Sequence, residues 1–122
     1  MEYLLLICQN DANRAKMTQD QEAAIYQEYG QLIQDLTAKH KFLGANQLKP
    51  TATATTVRVR DGKRVVTDGP FAETKEQLGG YFLIDAADLD EAIAIAARIP
   101  AARTECVEVR PVIQRRQAVA GS

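Results

Sequence analysis

Residues 2–8 read EYLLLIC, and from Tyr3 to Cys8 the run is apolar without a break. A strand apolar on both alternating faces belongs in the middle of a sheet, with cover above and below. Residues 81–86, YFLIDA, repeat the pattern and belong beside it. Residues 53–60, TATTVRVR, alternate instead. Thr53, Thr55, Val57 and Val59 face one way, and Ala54, Thr56, Arg58 and Arg60 the other, as in a strand with one apolar and one polar face. Asp61-Gly62 is the dipeptide of a two-residue type I′ turn, so the chain returns through residues 63–67. Residues 105–113 form the last strand, with Cys106, Glu108 and Arg110 opposed to Val107 and Val109; Pro111 suits an edge.

Two stretches have helical spacing. After a polar link over residues 9–17, Thr18-Gln19-Asp20-Gln21 is a capping box. Ile25, Tyr29, Leu32, Ile33 and Leu36 then make one apolar stripe. Lys39, His40 and Lys41 suit a helix C-terminus, and Gly44 is the predicted stop. Asp88 caps a second helix, with Glu91 at its third position, a stripe of Leu89, Ala92, Ile93 and Ala96, and Pro100 as its end.

The order β-α-β-β-β-α-β predicts an α+β protein. It is a ferredoxin-like sandwich, with a mostly antiparallel sheet and two helices on one face. Residues 1–113 form a single domain, and residues 114–122 a tail that frays. Two helices leave one sheet face bare, and the economical cover is a second copy, so a homodimer through the sheet face is expected. The strand periods group Leu4 and Leu6 with Phe82 and Ile84, and Leu5 and Ile7 with Tyr81 and Leu83. With the last strand antiparallel to the first, Cys8 and Cys106 come to the same end of the sheet as two free, partly buried thiols.

Composition removes several functions. Fifteen basic residues against sixteen acidic ones give a net charge of −1, with no basic stripe for nucleic acid. The apolar run of residues 3–8 is too short to cross a bilayer and lacks the flanks of a signal peptide. Two cysteines without CxxC spacing suit a reducing cytoplasm. One histidine makes no ordinary zinc set, and Gly79-Gly80 precedes a strand where a phosphate loop needs a helix. Neither metal nor cofactor is expected.

The candidate site is residues 67–81, TDGPFAETKEQLGGY. Asp-Gly-Pro forces a turn, four polar residues follow at Glu73, Lys75, Glu76 and Gln77, and Gly79-Gly80 permits a close backbone approach. Asp68 is the candidate acid/base, a role that needs burial or a charged neighbour; its local alternative is an Asx-turn. Arg58 can hold an anionic substrate or Glu73, and Lys75 can fix charge. Tyr81 offers a hydroxyl to a pocket or packs in the core. Glu76 is read as a solvated charge and His40 as a helix-end cation.

TATTVRVRDGK, VVTDGPFAETKEQLGGYFLIDA, DLDEAIAIAARIPAAR and VEVRPV, in that order, closely resemble the YCII-related family, and more narrowly its DGPF-domain branch. The resemblance covers residues 2–112. It implies the dimeric α/β-barrel form of the ferredoxin-like fold. Better-understood proteins of that fold are small enzymes acting on hydroxylated aromatics or lactones, among them a dehydrochlorinase and muconolactone isomerase. Other members of the branch are encoded beside sigma factors of the extracytoplasmic-function type. In shorter YCII proteins a His and an Asp have been proposed as a catalytic pair. The Asp of the DGPF motif is Asp68 here, and the single histidine, His40, ends the first helix. Two functions follow. One is a small isomerase- or lyase-type enzyme that moves a proton on a hydroxylated or anionic ring compound through Asp68, with Arg58, Glu73, Lys75 and Tyr81 binding it. The other is a non-catalytic sensor or accessory module linked to a sigma factor.

Overall fold

The computed structural model describes residues 1–71 and 76–114. Along the chain run β1 (Glu2–Gln9), α1 (Asp11–Ala15), α2 (Gln19–Ala38), β2 (Phe42–Gln47), β3 (Thr55–Arg60), β4 (Lys63–Asp68), β5 (Gln77–Asp85), α3 (Leu89–Ala96), α4 (Ala101–Thr104) and β6 (Cys106–Pro111). β2, β5, β1 and β6 make one antiparallel sheet in that order. The two doubly apolar strands lie at its centre and β6 at its edge, as their sequences require. The architecture is α+β and consistent with a ferredoxin-like sandwich.

β2 was not expected. α2 starts at its predicted capping box, with Thr18 and Gln21 bonded reciprocally. It stops before Gly44, because His40 takes the left-handed conformation at φ 57°. The N–H groups of Lys41 and His40 then bond the carbonyls of Leu36 (2.8 Å) and Thr37 (3.1 Å), the closure usually made by glycine. That frees Phe42–Gln47 to pair with β5, through a bulge between Phe42 and Gly44. β2 thereby takes the sheet edge beside β5. The β3–β4 hairpin consequently stands outside the main sheet and, among the described residues, pairs only with itself. Its turn is as predicted, with Asp61 and Gly62 both at positive φ.

The helices also number more than two. Asn10 caps α1 inside the expected polar link, accepting from the N–H groups of Ala12 and Asn13 at 2.9 and 3.2 Å. Asp88 caps α3 as expected, but α3 ends at Ala96, and Pro100 opens α4. The buried side of α3 is Ala92, Ile95 and Ala96, while Leu89 and Ile93 are exposed. Lys41 pairs with Glu91 at 2.8 Å, tying the start of β2 to α3.

Register corrects the predicted faces. Tyr3 pairs with Ile84 and Leu5 with Phe82, so these four share the helix-covered face, with Ile7. Leu4 pairs with Leu83 and Leu6 with Tyr81, and these four share the other face. The core between sheet and helices includes Leu5, Leu32, Ile84 and Ile99, all fully buried. Burying each such side chain stabilises the fold by about 1.5–3 kcal/mol. The opposite face is only half-buried and carries Leu4, Leu6 and Leu83 at its centre.

Candidate functional site

The sheet has a hollow floor beneath the N-terminal half of α2. Leu32 and Leu36, in the C-terminal half, pack down fully. Ile25 and Tyr29, further up the helix, line a space whose floor includes Ala45, Gly79 and Gly80. Small residues there leave a cavity of about 670 Å³, walled by α1 on one side and α4 on another. That volume suits a small organic molecule.

The glycines also permit the close approach read from the sequence. A Cβ on Gly80 would lie 2.8 Å from the Asn46 carbonyl, and one on Gly79 2.8 Å from Cδ of Gln9. Gly79 is the extra residue of a bulge, between the pairs Ile7–Gly80 and Cys8–Leu78. Across it lies the Gln9 side chain, which also lines the cavity. Its Oε1 is buried and, among the described residues, accepts no hydrogen bond. A buried acceptor without a partner is costly, by roughly 1–3 kcal/mol. Such groups concentrate where a protein has something else to bind.

Most of the charges around the cavity already hold hydrogen bonds. Arg103 donates from Nη1 and Nη2 to the two carboxylate oxygens of Glu28, at 2.7 and 2.8 Å. The Arg103 hydrogen bond holds the Glu28 carboxyl below its ordinary range, and Glu28 in turn raises Arg103. Arg14 donates to the Leu48 carbonyl at 3.2 Å, and Glu105 accepts from Asn13 and Thr104. Burial first, then the negative charges of Glu105 and Glu28, push the Tyr29 phenol up to about 12, so it is neutral at ordinary pH. This wall can bind, orient and exclude water; it holds no histidine.

Of the residues singled out in the sequence, Asp68, Arg58 and Tyr81 lie elsewhere. Asp68 and Arg58 are exposed on the hairpin, and its register puts them on opposite faces: Asp68 opposes Thr55, and Arg58 opposes Val65. Among the described residues nothing donates to the Asp68 carboxylate, so the Asx-turn is absent there. Tyr81 is on the open sheet face, where its hydroxyl accepts from Asn46 Nδ2 at 2.8 Å. Glu73 and Lys75 lie outside the described residues. Phe71, of the DGPF string, is 82% exposed. Within one chain Asp68, Arg58 and Tyr81 are not brought together.

Gln9, Glu28, Tyr29 and Arg103 carry the cavity instead. Asn10 before Asp11 was a legible cap for α1, the helix that forms one wall. No local signal joins Glu28 to Arg103, which stand 75 positions apart. Among the described residues no three His, Cys, Asp or Glu groups are placed to hold a metal ion, and no helix is long and apolar enough to cross a membrane.

Fold and cavity together define an α+β sandwich domain hollowed between its two layers. The chain belongs to the YCII-related family, whose domain matches residues 1–116. It is also 36% identical over 110 residues to an uncharacterized protein of Rhizobium meliloti (strain 1021), covering 88% of this chain and 89% of that relative.

Proposed function

We propose that this protein binds a small molecule in the cavity between α2 and the sheet, and does so as a homodimer. The observation that carries the reading is the 670 Å³ space, apolar at Ile25, Ile33 and Phe82 and floored by glycine. The open sheet face supports the dimer, since Leu4, Leu6 and Leu83 are only half-buried on it while Tyr3, Leu5, Phe82 and Ile84 on the opposite face are buried. The rim of that face is polar, with Glu108 paired to Arg110 and Tyr81 to Asn46. An apolar centre with a polar rim is the anatomy of a protein interface. A two-fold pairing of such faces would be the dimeric barrel of the DGPF branch.

The enzymatic form of this reading is isomerase- or lyase-type proton transfer on a small hydroxylated or anionic ring compound. Asp68 would be its acid/base, with Arg58, Glu73, Lys75 and Tyr81 as ligand contacts. Because Asp68 stands on a hairpin clear of its own chain's cavity, that form requires the hairpin to meet a second chain. The alternative is binding without chemistry, as a sensor or accessory module serving a sigma factor. The engaged charges of the cavity wall favour this second form.

A metabolite screen by thermal shift, repeated on Asp68→Asn, separates the two. A ligand at a hundred times its Kd raises stability by about 2.7 kcal/mol. A ligand that stabilises both proteins and is converted only by the wild type establishes the enzyme. One that stabilises both and is converted by neither establishes the sensor. Ligands that shift the melting point equally well after the cavity is filled by Ala45→Phe would sink the reading.

A further inference from the structure

We propose that the cavity selects uncharged apolar ligands over anions, and that Glu28 sets this selectivity by occupying Arg103. The inference rests on the cavity being the ligand site. Among the described residues two guanidinium groups border it, Arg14 and Arg103, against three carboxylates, Glu22, Glu28 and Glu105. A guanidinium captures an anion through a fork of two parallel N–H groups. In Arg103 that fork is already filled, at 2.7 and 2.8 Å, by the two oxygens of Glu28. Arg14 spends Nη1 on the Leu48 carbonyl.

An entering anion finds the Nη1/Nη2 edge of Arg103 occupied and must displace Glu28 to use it, and it meets the carboxylates of Glu22, Glu28 and Glu105 along the same wall. A neutral molecule meets neither obstacle, and Ile25, Ile33 and Phe82 offer it apolar surface. The field at the wall agrees with this. At Tyr29 the charges of Glu105 and Glu28 outweigh that of Arg103, and burial acts in the same sense as the carboxylates. Selectivity of this kind works by rejection: the site carries a repulsive element against the wrong ligand. Because Glu28 is on α2 and Arg103 on α4, the same pair also fixes the distance between two walls of the cavity.

Two fluorescent probes share one skeleton and differ by a sulfonate: neutral N-phenyl-naphthylamine and its anionic analogue anilinonaphthalene sulfonate. Titrated at low salt, the wild type should bind the neutral probe at least about tenfold more tightly, a difference of about 1.4 kcal/mol. Ala24→Trp, at the cavity mouth, should abolish that signal; fluorescence that survives it arises on other apolar surface and is subtracted. Glu28→Gln frees the Arg103 fork and should shift the affinity ratio about tenfold toward the anion. Glu28→Gln/Arg103→Gln should lose that shift, and Arg103→Gln alone should move the ratio the opposite way, which keeps the test open if one variant melts early. Equal wild-type affinity for both probes overturns the charge selectivity and leaves the cavity reading standing. A ratio unmoved in a Glu28→Gln protein with a normal melting curve overturns the role of Glu28. Failure of the wild type to bind either probe overturns the cavity reading and this inference with it.

Discussion

Cys8 and Cys106 are direct cross-strand partners at one end of the sheet, and both are free thiols. The pairing places β6 antiparallel beside β1, as the sequence required. Cys106 is exposed, where a partly buried thiol was expected. Desolvation first, then the hydrogen bond and charge of Cys8 and the nearby Glu76 carboxylate, push its thiol from 9.0 up to about 11. Thiols react as thiolates, so Cys106 should be slow toward iodoacetamide at pH 8. Peptide mapping should show native Cys106 alkylated at least about tenfold more slowly than in urea. The sign for stability follows. The fold favours the protonated form, so this contribution is complete below pH 9.0 and lost as pH rises toward 11. Native alkylation as fast as in urea contradicts the placement of Cys8 and Glu76.

The dimer is tested on the open face. Light scattering at micromolar concentration should give twice the 13.4 kDa of the chain. Leu6→Arg should give the chain mass with an intact melting transition, because Leu6 lies on the open face beside Tyr81 and outside the helix-covered core. A wild-type monomer, or a Leu6→Arg dimer, removes the interface.

His40 has a backbone task. Left-handed conformation costs an L-residue about 1–2 kcal/mol, and glycine escapes most of this. His40→Gly should hold or raise the urea midpoint, and His40→Val should lower stability by about 1 kcal/mol or more. Equal destabilisation by both would mean that the imidazole, rather than its φ, is what α2 needs.

The glycine pair should respond unequally. Alanine at Gly80 meets the Asn46 carbonyl at 2.8 Å, and that backbone is held by β2–β5 pairing. Alanine at Gly79 meets the Gln9 side chain, which can swing away. Urea denaturation should show Gly80→Ala losing about 1–3 kcal/mol and Gly79→Ala less. The reverse order contradicts this geometry.

Much of this fold was legible because its signals are local. The apolar runs at residues 2–8 and 81–86 fixed the centre of the sheet, Asp61-Gly62 fixed the hairpin, and Thr18 and Asp88 fixed two helix starts. β2 was hidden because Lys39-His40-Lys41 reads as a helix end and Gly44 as its stop, while Phe42–Gln47 has no clean alternation. The strand faces were misgrouped because parity is set by pairing: Tyr3 meets Ile84, an odd position against an even one. Neither strand carries that information alone. The glycine pair was legible as a close approach, though not as the floor of a cavity. Glu28 and Arg103 meet only after α2 and α4 have docked on the same sheet.

The most direct measurement maps the ligand's place. Backbone amide chemical shifts, followed while N-phenyl-naphthylamine is titrated in, report which layer of the molecule it enters. Shifts concentrated at Ile25, Tyr29, Ala45 and Phe82 are the predicted result, since these line the cavity. Shifts concentrated at Leu4, Leu6 and Leu83, or at Val57 and Val66 on the hairpin, with the cavity amides unmoved, would contradict the account.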